Sequence, residues 1–275
     1  MTTVAPPELV EPAPPPRSAA GTVGRAVLGW LLPAATIAAL VGLWWLLKLA
    51  FGWPRFVVPS PADVADALWQ RRGYLPEQFW VTLVETLEGF GLAIAVGVPL
   101  AICIAYSRFL ERTLYPVLLA INAMPKVAIA PILVLWMGLG QGPKVVMVLL
   151  IAVFPVVLST ATGLKSTPAE LDELVRSLSA SPVQSFVKVR FPAALPHVFV
   201  GLKVAISLAV IGAVIGEFVG ASEGLGYVIV NSGANADTSL AFASMALLAL
   251  MSIVLFYALA AIERLLIPWA RHVQE

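Results

Sequence analysis

Six predominantly apolar runs punctuate the chain, near 27–50, 82–106, 114–138, 144–164, 198–220 and 241–267. Crossing the hydrocarbon core of a bilayer as a helix takes roughly 20 such residues. The pattern therefore predicts an all-α integral membrane protein with about six transmembrane helices. Only Gly138-Leu139-Gly140-Gln141-Gly142-Pro143 separates the third run from the fourth, and glycine and proline at that density predict a tight helical hairpin.

The polar interruptions are patterned too. The longest runs from 165 to 197. Within it Thr167-Pro168-Ala169-Glu170 reads as a capping box with proline at the first helical position. Leu171, Leu174, Val175 and Leu178 follow at i, i+3, i+4 and i+7, one apolar face of a helix. Ser181-Pro182-Val183-Gln184 repeats the start signal, and Val183, Phe186, Val187 and Arg190 share one side of a second helix. Phe191-Pro192 is expected to end it, since proline disfavours helix in the residue before it. The reading is two short helices joined by a sharp turn at Ser179-Ala180-Ser181. A further start signal, Pro59-Ser60-Pro61-Ala62-Asp63, precedes Val64, Leu68 and Trp69. It predicts an amphipathic helix on the outer membrane surface.

Composition agrees with a membrane protein: 60% of the 275 residues are hydrophobic, 12% are charged and mean hydropathy is +0.92. A net charge of +1 suggests no nucleic-acid partner. The single Cys103 cannot form an internal disulfide, and the sequence has no metal-ligand spacing. His197 and His272 flank apolar runs and read as interface residues. Residues 1–25 are rich in proline and alanine and lack the apolar core of a signal peptide. They read as a disordered cytoplasmic tail ahead of a transmembrane domain over 26–275.

Lys and Arg in the loops set the orientation. With six spans and the N-terminus inside, Arg17, Arg25, Arg108, Arg112, Lys165, Arg176, Lys188, Arg190, Arg264 and Arg271 fall on the cytoplasmic side. Arg55, Arg71, Arg72 and Lys144 fall outside, and Lys48, Lys126 and Lys203 within spans. Ten against four places both termini and the 165–197 loop in the cytoplasm.

Ionisable residues inside spans are costly and mark function by default. Lys126 follows Met124-Pro125 near the middle of the third run, with Asn122 one turn earlier. Proline there can break the helix, a device of transport sites. The lysine either meets an anionic solute or pairs with a carboxylate of the protein. Glu217, toward the outer end of the fifth run, is either a satisfied structural carboxylate or part of the same pathway. Lys203 is expected to snorkel to the interface. Gly212, Gly216 and Gly220 repeat a small-xxx-small spacing. That lets helix backbones approach closely, within the chain or at a dimer contact.

No phosphate-binding loop is present; Gly163-Leu164-Lys165-Ser166 lacks its glycine framework. Nor is there a recognised hydrolase or kinase signature. The chain reads as no enzyme and as needing no cofactor. Any ATP would be bound and hydrolysed by a separate chain.

Glu173-Leu174-Val175, Ser179, Val189 and Phe191-Pro192 keep the order and spacing of the EAA loop of bacterial ABC-importer permeases. That loop runs Glu-Ala-Ala, three residues, Gly, nine residues, Ile, one residue, Leu-Pro. Further matches are Val58-Pro59-Ser60-Pro61, Ser107-Arg108-Phe109-Leu110-Glu111-Arg112 and Pro125-Lys126-Val127-Ala128-Ile129-Ala130-Pro131. Trp136-Met137-Gly138, Glu217-Phe218 and Gly224-Leu225-Gly226-Tyr227 complete them. From about Val57 to Trp269 the chain resembles the permease subunits of the nitrate/sulfonate/taurine group. The resemblance implies a type I importer permease fold in the bacterial cytoplasmic membrane, with cytoplasmic coupling helices between spans four and five. It implies a homodimer embedded in lipid, two cytosolic ABC ATPase subunits and an extracytoplasmic substrate-binding protein. On it, Glu173, Leu174, Leu178, Ser179, Ala180, Val189 and Pro192 would couple to the ATPase. Asn122, Met124, Lys126 and Glu217 would line the path of a small, anionic solute. A thiamine-pyrimidine precursor is the alternative solute. An ion-gradient-driven transporter, or a non-transporting scaffold, is the alternative to an ATP-driven importer.

Overall fold

The computed structural model describes residues 19–269. Among them every regular element is helical. The proline-rich tail lies outside the described residues up to residue 18, as does His272. Helix α1, Ala19–Phe51, forms a unit by itself, ahead of a second unit that begins at Pro54.

The second unit holds α2 (Pro61–Gln70), α3 (Leu75–Tyr106), α4 (Arg108–Ala123), α5 (Lys126–Met137) and α6 (Gln141–Lys165). The short helices α7 (Ala169–Ser177) and α8 (Pro182–Ser185) follow, then a π-turn, Phe186–Arg190. Helices α9 (Phe191–Phe218), α10 (Leu225–Ala234) and α11 (Thr238–Leu266) complete the unit. By length and composition five helical stretches can cross a membrane, or six if α4 and α5 are one broken span.

Helix α6 is the axis of the packing, with α3 on one side and α9 on the other. The contact faces are built from small residues. Ala93, Ala152, Ala205, Ala209 and Ala213 are fully buried beside Val148 and Val156. In lipid no hydrophobic force pulls apolar helices together, so close backbone approach and dispersion must do it. Gly212 and Gly216 are two of the closest approaches: a Cβ on either would lie 2.8 Å from the Cα of Val148 or Lys144 on α6. Gly220, the third of the series, lies beyond the end of α9 near Leu139. Gly212→Val is therefore expected to force α9 off α6. The cost should be about 1–3 kcal/mol, the usual penalty of overpacking, seen as a lower melting temperature of the purified protein. An unchanged melting temperature would show that the contact is not close.

Several boundaries differ from the apolar pattern. Helix α3 starts at Leu75 rather than 82, because Gln78, polar in sequence, faces inward and is buried. Helix α2 carries the expected capping box, with the Asp63 N–H donating to Ser60 Oγ at 3.1 Å and the Ser60 N–H to Asp63 Oδ2 at 2.8 Å. Val64 packs inward on it, but Trp69 turns outward under the Arg72 guanidinium. The Lys203 ammonium meets Glu263 of α11 at 2.8 Å. Phe191-Pro192 does not end a helix. The chain runs helically from Pro182 to Phe218, and the π-turn absorbs the proline. The Phe191 N–H reaches back five residues, to Phe186 O. A wider turn relieves the clash that the Pro192 ring would make with the carbonyl four residues earlier.

Candidate functional site

Three places hold the residues singled out by sequence. The first is the loop between α6 and α9. Helix α7 ends with Ser179 in the left-handed region, φ 53°, while the Ala180 N–H donates to Val175 O at 3.2 Å. That 6→1 bond around a left-handed residue is a Schellman cap, a position that glycine usually takes. Ser181 then caps α8 as its sequence foretells: the Gln184 N–H donates to Ser181 Oγ at 3.2 Å, and the Ser181 N–H to Gln184 Oε1 at 2.9 Å. The box at Thr167 does not form. Its hydroxyl is buried without a hydrogen-bond partner, and α7 begins only at Ala169. Glu173 is exposed, Val175 points inward, and Leu178, Val183 and Val187 stand 72%, 71% and 56% exposed. Val189 and Pro192 are half-buried at the root of the loop. The loop thus presents an apolar edge at a turn, beside an acidic residue.

The second place is the third apolar run, which is no straight span. Helices α4 and α5 meet at Met124-Pro125 with a bend of 92°. The Lys126 ammonium reaches back one turn, to Asn122 O at 2.6 Å and Asn122 Oδ1 at 2.8 Å. Asn122 belongs to the last turn of α4, whose carbonyls lack helical partners. The lysine therefore caps the broken helix with a positive charge where the dipole favours one. Met124 is exposed at the break, and Trp136 is exposed on α5.

The third place is a buried polar cluster around Glu217, whose members Gln78, Thr82 and Glu85 drew no reading from the sequence. The Glu217 side chain is 1% exposed. Its Oε1 accepts from Thr82 Oγ1 at 2.7 Å and its Oε2 from the Gly226 N–H. Thr82 Oγ1 in turn accepts from the Leu225 N–H at 2.9 Å, and Gln78 Oε1 from the Gly224 N–H at 2.7 Å. Three unpaired amides at the start of α10 are thus satisfied by side chains of α3 and α9. The Glu217 carboxyl group sits at a helix N-terminus, where the dipole favours negative charge. Gly224, at φ 108°, lies so close that a Cβ would overlap the Glu217 carboxylate. Beside this cradle Lys144 of α6 forms an ion pair with Glu85 Oε1 of α3. Glu85 Oε2 is buried without a hydrogen bond, and Glu85 and Glu217 interact electrostatically. Lys144 is accordingly no loop residue; it is 8% exposed. The signal that could have revealed the cluster was Gln78, Thr82 and Glu85 recurring on one face of α3.

Residues 93–272 match the family of binding-protein-dependent transport system inner membrane components. The chain is 38% identical, over 85% of its own length and 88% of the relative's, to the riboflavin transport system permease protein of Chloroflexus aurantiacus. It is 35% identical, over 88% and 96%, to the formylaminopyrimidine transport permease protein of Halalkalibacterium halodurans. The taurine transport system permease protein of Escherichia coli is 28% identical over 88% and 91%. In fold it resembles a chain of the methionine ABC transporter MetNI in inward-facing conformations, with TM-score 0.63, 20% identity, and coverage of 71% of this chain and 97% of that one.

Proposed function

This chain belongs to the binding-protein-dependent transport system inner membrane components, and on that premise we propose that it conducts a small nitrogen heterocycle, or a precursor of one, past the break between α4 and α5. It is an integral inner-membrane permease subunit of an ABC importer; ATP is hydrolysed by a separate chain. In our reading two copies form the pathway, both termini face the cytoplasm, and the 165–197 loop docks on the ATPase. An extracytoplasmic binding protein delivers the solute.

The observation that carries the solute reading is the engagement of Lys126. Its ammonium is already shared by two oxygens of Asn122, so it serves the broken helix rather than standing open to an anion. Exposed Trp136 offers a ring on which a planar heterocycle can stack. The relatives named for riboflavin and formylaminopyrimidine are nearer in sequence than the one named for taurine. A small anion such as a sulfonate or nitrate is the second reading, favoured by the positive charge at the break.

Lys126→Met separates the two. Loss of a cation from a helix C-terminus costs about 0.3–1 kcal/mol, so uptake should fall by no more than about fivefold. Loss of a desolvated contact to an anion would cost about 2–5 kcal/mol, a fall of roughly thirtyfold or more. The measurement is uptake of labelled pyrimidine, riboflavin, taurine and nitrate by cells carrying the parent or Lys126→Met in place of a deleted gene. Uptake of taurine or nitrate alone, abolished by Lys126→Met, would overturn the heterocycle reading.

A further inference from the structure

The π-turn has a neighbour that the loop reading leaves unused. The Tyr106 ring, at the last residue of α3, meets the Phe186 ring edge-on, 5.7 Å between centroids at 73°. The Arg190 guanidinium lies 5.7 Å from the centre of the same ring. Phe186 and Arg190 are the first and last residues of the π-turn, so one side chain grips it at both ends. Phe186 also packs on Phe191, 5.7 Å between ring centres. The next residue after Tyr106 is Ser107, whose hydroxyl caps α4 by accepting from the Leu110 N–H at 3.3 Å.

We propose that Tyr106 is a positioning residue for transport, which couples the π-turn at the root of the 165–197 loop to the start of the broken helix α4. The proposal rests on the reading of that loop as the ATPase-docking element. Between Pro182 and Phe218 the helix is continuous, so displacement of the docked loop has a stiff lever to act on. A turn with i→i+5 bonds is the least regular place on that lever and the place where it gives first. Aromatic edge contacts and a cation over a ring are directional. A ring held at both ends of the turn therefore follows its rotation and passes it to α3 and α4. Without the ring, the turn can flex and α4 stays behind. Tyr106 is about half exposed, so its removal leaves no buried cavity and a purely structural role predicts a mild effect.

The test uses the whole importer, permease with ATPase and binding protein, in proteoliposomes. It reads solute moved per ATP hydrolysed. Tyr106→Ala is expected to retain the ATPase on purification and to hydrolyse ATP, while solute moved per ATP falls at least about fivefold. Tyr106→Phe, which keeps the ring, should return the ratio to within about twofold of the parent. Phe186→Ala should lower it as well, and the double variant with Tyr106→Ala should be little worse than either single one. An unchanged ratio in Tyr106→Ala, a Tyr106→Phe as defective as the alanine, or strictly additive losses would each overturn the proposal. Failure of the docking reading shows elsewhere, as ATPase retained by variants of the loop itself.

Discussion

Lys144→Met is expected to destabilise the permease strongly although residue 144 lies near the end of a span. The Lys144 and Glu85 side chains are 10% and 3% exposed, and they pair between α6 and α3. Methionine fills most of the volume of lysine but leaves Glu85 with neither counter-charge nor water. Glu217 stands beside it, so two carboxyl groups would share one dry site. Breaking a buried pair from one side costs about 3–5 kcal/mol, a large share of a net stability of roughly 5–15 kcal/mol. At roughly 2–4 °C per kcal/mol for a domain of this size, the melting temperature in detergent should drop by about 6–20 °C. Yield in the membrane should drop with it. The decisive companion is Glu85→Leu with Lys144→Leu. Replacing both partners with apolar side chains removes the uncompensated charge and is often neutral or stabilising. The double variant should melt well above the single one. A double variant less stable than Lys144→Met would mean that the pair contributes more than it costs to bury, and would contradict this account of the cluster.

That cluster also marks where sequence stopped being legible. Apolar runs located every long helix among the described residues, because lipid imposes a length that composition can meet or miss. The caps at Ser60 and Ser181 were legible because each depends on residues three apart. The left-handed turn at Ser179 was legible because it occupies a position where the EAA loop has glycine. The rest depended on partners distant in sequence. Gln78 and Glu85 drew no reading from the sequence; their roles show only when Gly224 and Lys144 are seen against them. The partner of Lys203 was not legible, because Glu263 lies 60 positions away. Pro125 announced a break, but not its 92° angle, which leaves α4 against α3 and α6 and α5 against α6 and α9. Pro192 announced the end of a helix that instead widened by one residue, since the span behind it had more to gain from continuing. Pattern fixes which segments are helical. It does not show which polar groups a folded bundle can satisfy.

The largest functional effect is expected at the loop between α6 and α9. Leu178 follows the last residue of α7 with 72% of its surface exposed, and exposed Val183 and Val187 continue the apolar edge. An apolar edge beside a sharply capped turn suits a groove on a soluble partner, and exposed Glu173 gives that contact a sign. Truncating an anchored apolar contact at an interface hot spot costs on the order of 2 kcal/mol or more, a loss of roughly thirtyfold in affinity. Reversing a charge at the rim adds to it. Neither residue is needed to hold the bundle, so the variant should insert and melt as the parent does. The most direct measurement is therefore co-purification of the ATPase on the tagged permease, compared between the parent and Glu173→Lys with Leu178→Ala, alongside uptake of the solute. This account predicts a normally inserted double variant that loses the ATPase and transports nothing. A double variant that retains a full complement of ATPase and takes up solute at the parental rate would show that this loop is not the docking element.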